Sequence, residues 1–329
     1  MKSAGIAATG IYVPEKVVTN KDIEKLMDTS DEWIWEHIGI RERRFARPDQ
    51  PTSDLAIRAG ELALKNAGIG ADELDMIFVA TCSPDMFSPS TACIVQDKIG
   101  AGNAGAVDVN NACTGFVYGL EIASKFIADS SSKNVLLIGA EKLSVALSVK
   151  DRSTYVFFAD GAGAAVLKEA EKGTGVIGSY LRADGSGAMY LGIPAGGTAM
   201  PSTHETLDSG MHTVKMNGGK IWGFAVKAFP DAVRKALERT GYSVEDVDMI
   251  IPHQANYNII VEGMKKLGLP MEKTHTNMDK YGNTVSASIP IALHEAAELG
   301  KIKKGDLVVL AGFGGGLSWG ANVIRWGCK

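Results

Sequence analysis

Apolar and polar positions along this chain of 329 residues follow two distinct patterns. In Leu55, Ala59, Leu62 and Ala63, and again in Phe224, Ala228, Val233 and Leu237, apolar side chains recur at helical spacing and predict amphipathic helices. Each run ends close to a glycine, Gly68 or Gly241, where a helix is expected to stop. A short buried strand follows each, MIFVAT or MIIPHQ, and VLLIGA and LVVLAGF are continuous apolar runs. Strands without a polar face belong to a sheet covered on both sides.

The pattern is one plan written twice. Residues 63–77 (ALKNAGIGADELDMI) align with residues 236–250 (ALERTGYSVEDVDMI), and the same offset of 173 carries VLLIG (135–139) onto VVLAG (308–312). GAGAAVL (161–167) resembles WGANVI (319–324) after a shorter connection. The reading is α/β, with two similar halves, 1–172 and 173–329, packed as one body and joined near KEAEKGTG (168–175). Residues 183–214, rich in Gly, Ser and Thr, are expected to form an extended loop or meander.

Composition adds mainly exclusions. The chain is 45% hydrophobic and 22% charged, with a net charge of −4, which argues against a partner recognised through nucleic-acid phosphates. No apolar run reaches the roughly 18–20 residues of a membrane span, and MKSAGIAATGIYVP lacks a signal-peptide pattern. Four cysteines without a C-x-x-C pair are expected as free thiols in a reducing cytoplasm, with no zinc site.

Four segments carry candidate chemistry. In DVNNACTGFVYGL (108–120), Cys113 precedes a helix-compatible face of Phe116, Leu120, Ile122 and Phe126. Unpaired N–H groups at a helix start favour thiolate, yet free cysteines are also common as inert core residues. His253 in IPHQAN fits a catalyst or a hydrogen-bonded core histidine. Asn283 after Gly282 fits a polar site residue or a turn and N-cap. AGFGGGLSWG (311–320) allows a backbone N–H to approach a ligand, or simply closes a tight hairpin. It lacks the Lys-Ser/Thr ending of a phosphate-binding P-loop and the dinucleotide glycine register.

Taken together, Cys113 in DVNNACTGF, His253 in PHQAN, Asn283 in YGNTVSASIP and the closing GFGGGLSWG resemble the β-ketoacyl-acyl-carrier-protein synthase III family of the thiolase-like superfamily. GIYVPEKVVTN, TSDEWI, GIRERR and DRSTYVFFADGAGAAVL match it as well. The resemblance implies a duplicated βαβαβαβββ unit in a five-layered αβαβα body, usually a homodimer. It implies a Cys113 acyl-enzyme formed from an acyl-CoA, with an oxyanion held by the N–H groups of Cys113 and Gly315. Decarboxylation of a malonyl thioester, normally on an acyl carrier protein, would follow with His253 and Asn283 as enolate donors. No metal or redox cofactor enters, and coenzyme A is substrate. Trp33 and Arg152 match the pair that sandwiches adenine, and Gly218, Trp222, Gln254, Asn256 and Ser88 match further substrate-contacting positions.

The chain departs from that family pattern at several points. His37-Ile38 replaces Arg-Thr, Ser88 stands where phenylalanine is usual, and Trp222 replaces another phenylalanine. In the family the first of these phenylalanines reaches the partner subunit's primer pocket, so the changes suggest an altered pocket, with Trp222 refilling space that Ser88 leaves. Gly223 and Asn258 replace basic residues that dock the carrier, for which Lys220, Lys227, Lys265 and Lys266 offer substitutes. The alternatives are a specialised condensing enzyme with an unusual primer or malonyl-CoA as acceptor, a thioesterase, and a noncatalytic partner subunit.

Overall fold

The computed structural model describes residues 2–328. The elements that frame the site are, in chain order, β1 (Ala4–Tyr12), α1 (Asp31–Ile38), α2 (Thr52–Ala67), β2 (Met76–Ala80), α3 (Thr91–Lys98), β3 (Gly105–Val109), α4 (Gly115–Ala128), β4 (Val135–Lys142) and β5 (Asp160–Glu169). The second half contributes β6 (Gly175–Ala183), α5 (Gly218–Thr240), β7 (Met249–Pro252), α6 (Tyr257–Leu267), α7 (Ser288–Glu298), β8 (Leu307–Gly314) and β9 (Ser318–Arg325). Both α2 and α5 stop at a left-handed glycine, Gly68 (φ 66°) and Gly241 (φ 78°), a conformation a side chain makes costly.

The first sheet has the order β1-β5-β4-β2-β3 and the second β7-β8-β9-β6. In both, the strand after the long helix pairs parallel with the start of the terminal hairpin, whose second strand runs antiparallel to both its neighbours. Among the described residues the strand inventory is leaner than the βαβαβαβββ formula, with five strands in one sheet and four in the other. The second sheet's missing edge survives as a single bridge between Ile250 and Thr274. Beyond it, the backbones of His275 and Asn277 bond to the Gln254 side chain instead of a neighbouring strand.

Alternation along the strands sorts side chains into stacked cores. Ile77, Val79 and Ile138 pack with Leu55 and Ala59 of α2 and Val95 of α3. Phe78 and Leu137 point the other way, into a central core with Phe116 and Leu120 of α4, Ile289 and Leu293 of α7, and Ile251 and Leu310 of the second sheet. Ile250 and Val309 face Phe229 and Val233 of α5 and Ile260 of α6. The result is the five-layered αβαβα arrangement. Ile122 departs from its expected role at 37% exposed, because the buried face of α4 runs through Phe116, Leu120, Ala123 and Ile127. No helix among the described residues is long and apolar enough to cross a membrane.

Each central helix is entered through a single 3₁₀ turn, Ala112–Thr114 before α4 and Val285–Ala287 before α7. The turns stand 173 residues apart, and each opens on a residue of positive φ, Ala112 (43°) or Val285 (52°). Ser286 is therefore the repeat counterpart of Cys113. Each turn also rests on the opposite sheet. A Cβ on Gly139 of β4 would lie 2.5 Å from the Ser286 carbonyl oxygen, and one on Gly312 of β8 would lie 3.2 Å from the Thr114 Cα.

Gly139→Ala should therefore force backbone apart and destabilise the protein by about 1–3 kcal/mol, the usual cost of overpacking. Gly102→Ala, whose Cβ meets nothing within 4 Å, should leave the thermal midpoint unchanged. An unaltered midpoint for the Gly139 variant would contradict this account of the central contact.

Candidate active site

Cys113 occupies the middle of its turn, 3% exposed. Thr114 ties the turn down: its hydroxyl donates to the Asn111 carbonyl (2.8 Å), accepts from the Asn111 amide (2.8 Å) and lies 2.7 Å from Ser318 Oγ. Gly314 is the floor beneath, where a Cβ would sit 2.6 Å from that of Cys113. Burial pushes the Cys113 thiol up to about 12, the nearby Glu141 carboxylate acts in the same direction, and the N–H groups of Gly315 and Cys113 oppose them. The α-helix begins two residues later at Gly115, and desolvation outweighs the two backbone donors.

His253 follows β7, and its backbone N–H donates to the Ala311 carbonyl (2.8 Å), extending the ladder with β8 by one residue. The ring packs edge-on against Phe313, with centroids 5.4 Å apart, and Nδ1 lies 2.6 Å from Ser288 Oγ. Burial lowers its pKa to about 3. Asn283 is held by its backbone, donating to the Phe157 carbonyl and accepting from the Ala159 N–H (each 2.9 Å). Its side-chain carbonyl accepts from the Val285 N–H (2.9 Å), which leaves the amide NH₂ as the available end. Thiol and imidazole are both neutral at rest.

Cys113, His253 and Asn283 line one cavity of about 100 Å³, together with Gly218, Trp222 and Asn256. A second cavity of about 380 Å³ lies against Cys113, walled by Cys82, Leu143, Phe158, Leu191, Val214 and Gly315. A larger groove of about 550 Å³ between α5 and α6 contains neither the thiol nor the imidazole. Arg152 lies over the Trp33 ring (4.7 Å) and donates to the Asp28 carbonyl (2.9 Å), while His37 stacks on Trp33 at 4.5 Å.

Other expected residues are used differently. Gln254, expected to contact substrate, is 1% exposed and braces the interior through the carbonyls of Pro252 and His275 and the Asn277 N–H. Ser88 lies on an exposed loop and lines neither cavity of its own chain. Trp222 lines the narrow cavity beside His253. Asn256 donates to the His37 carbonyl (2.9 Å), and Asn258 donates to those of Glu36 and His37, so the residue in the basic position ties α6 to α1.

Sequence reasoning missed three residues around the site. Glu141 is fully buried and accepts hydrogen bonds from Ser83 Oγ (2.6 Å), Ser286 Oγ (2.7 Å) and the Cys82 and Ser83 N–H groups. The signal available was one carboxylate at the end of the apolar run VLLIGAEK. Ser286 and Ser288 sit inside the Asn283 motif, but nothing in their spacing marks them. All four cysteines are free, and no cluster of three or more His, Cys, Asp or Glu suited to a metal occurs among the described residues.

Burial raises the Glu141 carboxyl above its ordinary value, and in its ionised form it disfavours the Cys113 thiolate, so its removal should favour that thiolate. Glu141→Gln should move the pH profile of Cys113 alkylation by iodoacetamide to lower pH, read by peptide mass spectrometry. A profile that stays put or rises would refute the electrostatic role.

Two models of the 3-oxoacyl-[acyl-carrier-protein] synthase III family, its main and C-terminal parts, match residues 107–185 and 237–326. The β-ketoacyl-[acyl-carrier-protein] synthase III of Caldanaerobacter subterraneus subsp. tengcongensis is 53% identical, with 98% of each chain covered. The crystal structure of 3-oxoacyl-[acyl-carrier-protein] synthase III from Aquifex aeolicus VF5 superposes with a TM-score of 0.91 at 43% identity, covering 98% of this chain and 100% of that one. The priming β-ketosynthase of the R1128 polyketide biosynthetic pathway gives 0.92 at 31% identity, covering 99% and 97%. With relatives this similar along its whole length, the chain belongs to the β-ketoacyl-acyl-carrier-protein synthase III family, acyl-transferring condensing enzymes of the thiolase-like fold.

Proposed function

We propose that Cys113, His253 and Asn283 carry out the family's condensation in this chain, joining an acyl-CoA primer to malonyl-acyl-carrier protein to begin fatty-acid synthesis. The observation that supports this reading best is the convergence of thiol, imidazole and amide on one cavity, with the Gly315 N–H directed at the sulfur. Cys113 Sγ attacks the thioester carbon, and its proton ends on the departing coenzyme A sulfur. The N–H groups of Cys113 and Gly315 receive the oxyanion. The wider cavity takes the acyl chain on the far side of the sulfur.

The malonyl thioester then loses carbon dioxide, and the electrons of the broken C–C bond move onto its thioester oxygen. His253 Nε2 and the Asn283 amide stabilise that enolate by hydrogen bonds. Its α-carbon attacks the acyl-cysteine, the C–S bond breaks as the β-ketoacyl thioester leaves, and the released Cys113 thiolate takes up a proton from solvent to restore the resting thiol. The sequence of steps requires no metal or redox cofactor. A homodimer fits the exposed Met86 and Phe87 (82% exposed) before α3 and the unpaired edge of β3.

A second reading, malonyl-CoA as acceptor, is favoured by one feature. The Asn258 amide is engaged with α1, and Gly223 has no side chain to offer a carrier. Lys220 and Lys227 lie nearby on α5 as substitutes.

Exposure to a panel of acyl-CoAs should add an acyl mass to the wild type and none to Cys113→Ala. His253→Ala should acylate but fail to condense when chased with malonyl-acyl-carrier protein. Absence of any adduct would sink the proposal, and condensation with malonyl-CoA alone would select the second reading. Loss of the Arg152 guanidinium as a stacking partner for adenine, in Arg152→Ala, should raise KM for acyl-CoA about two- to thirtyfold with little change in kcat. An unchanged KM would remove Arg152 from the coenzyme site.

A further inference from the structure

The neutral His253 ring can present either an N–H or a lone pair to the cavity, and only the first helps an enolate oxygen. What decides between them lies on the other side of the ring. Ser288 Oγ is 2.6 Å from Nδ1 and also accepts the Gln254 backbone N–H (3.4 Å). Ser288 is the first residue of α7 and 2% exposed, so bulk water does not compete for its hydroxyl. That hydroxyl has one proton to give. Among the described residues, Nδ1 is the only acceptor paired with it. Nε2, by contrast, has no protein hydrogen-bond partner among those residues, and the ring borders the cavity shared with Cys113 and Asn283.

We propose that Ser288 is a positioning residue that donates to His253 Nδ1 and thereby holds the imidazole in the tautomer with its proton on Nε2. The inference rests on the reading of His253 as an enolate donor. Asn283 is oriented by the same logic from the same turn. Its Oδ1 is occupied by the Val285 N–H, so its NH₂ is the end left for the cavity. One short segment, residues 283–288, makes both polar groups donors. A ring with the proton on Nδ1 would instead aim a lone pair at the developing negative charge.

The test begins with the wild-type protein, ¹⁵N-labelled at its six histidines, with the His253 signals assigned by their loss in His253→Gln. Nitrogen–proton correlation spectra should show a neutral ring protonated on Nε2 from pH 6 to 9. In Ser288→Ala the two nitrogen shifts should move toward each other as the tautomers mix. The same variant should still release coenzyme A on acylation. Its kcat for condensation with malonyl-acyl-carrier protein should fall about ten- to a hundredfold, the range for losing a group that orients a histidine in metal sites. KM should change less than twofold, and Ser288→Thr, which keeps the hydroxyl, should restore the spectrum and most of kcat.

A wild-type ring protonated on Nδ1 would overturn the proposal. So would a Ser288→Ala protein that keeps both the Nε2–H signature and full kcat. If His253→Ala itself condenses at the wild-type rate, the catalytic reading of His253 fails, and the spectra still decide the tautomer on their own.

Discussion

Two turns pressed against two glycines hold this molecule's chemistry together. The Cys113 turn rests on Gly312 of the second sheet, and its repeat counterpart, the Ser286 turn, rests on Gly139 of the first. Any larger residue at Gly139 would meet backbone, which cannot swing aside as a flexible side chain can. This crossed contact sets how closely the halves approach. It therefore sets the distance between a thiol supplied by one half and an imidazole and amide supplied by the other. The left-handed backbone at Ala112 and Val285 is tolerated because the layers on either side leave the turns no room to relax.

Burial then dictates the charge state. The desolvation that raises the Cys113 thiol to about 12 also lowers His253 to about 3, so the resting pair is thiol and imidazole rather than thiolate and imidazolium. Nearby, Glu141 has no cation partner within its hydrogen-bonding set and is satisfied by hydroxyl and backbone donors, including that of Ser286. The duplicated fold thus has one turn that presents a thiol to a cavity. The equivalent turn gives its side chain to an internal carboxylate.

Away from this centre the constraints loosen, and there the chain departs from its family's pattern. His37 stacks on Trp33, and Asn258 spends its amide on the last carbonyls of α1, so a position normally basic has become a brace between two helices. Such changes leave the thiol, imidazole and amide in place, because those are held by the central layer.

Much of the architecture was legible in the residue pattern. Helical spacing that ends at Gly68 and Gly241, unbroken apolar strands and the 173-residue offset are local or self-similar signals, and the five layers follow from burying such elements on both faces. Motif likeness singled out Cys113, His253 and Asn283, but spacing alone left each with a plain structural alternative. Tertiary structure alone decided that Gln254 braces the interior, that Trp222 borders the cavity of His253, that Glu141 and Ser288 stand behind the site, and that the thiol is protonated. The physical reason is one of range. Periodicity and capping are settled within a few residues, whereas hydrogen-bond partners and pKa values depend on which distant groups packing brings near and how much water it removes.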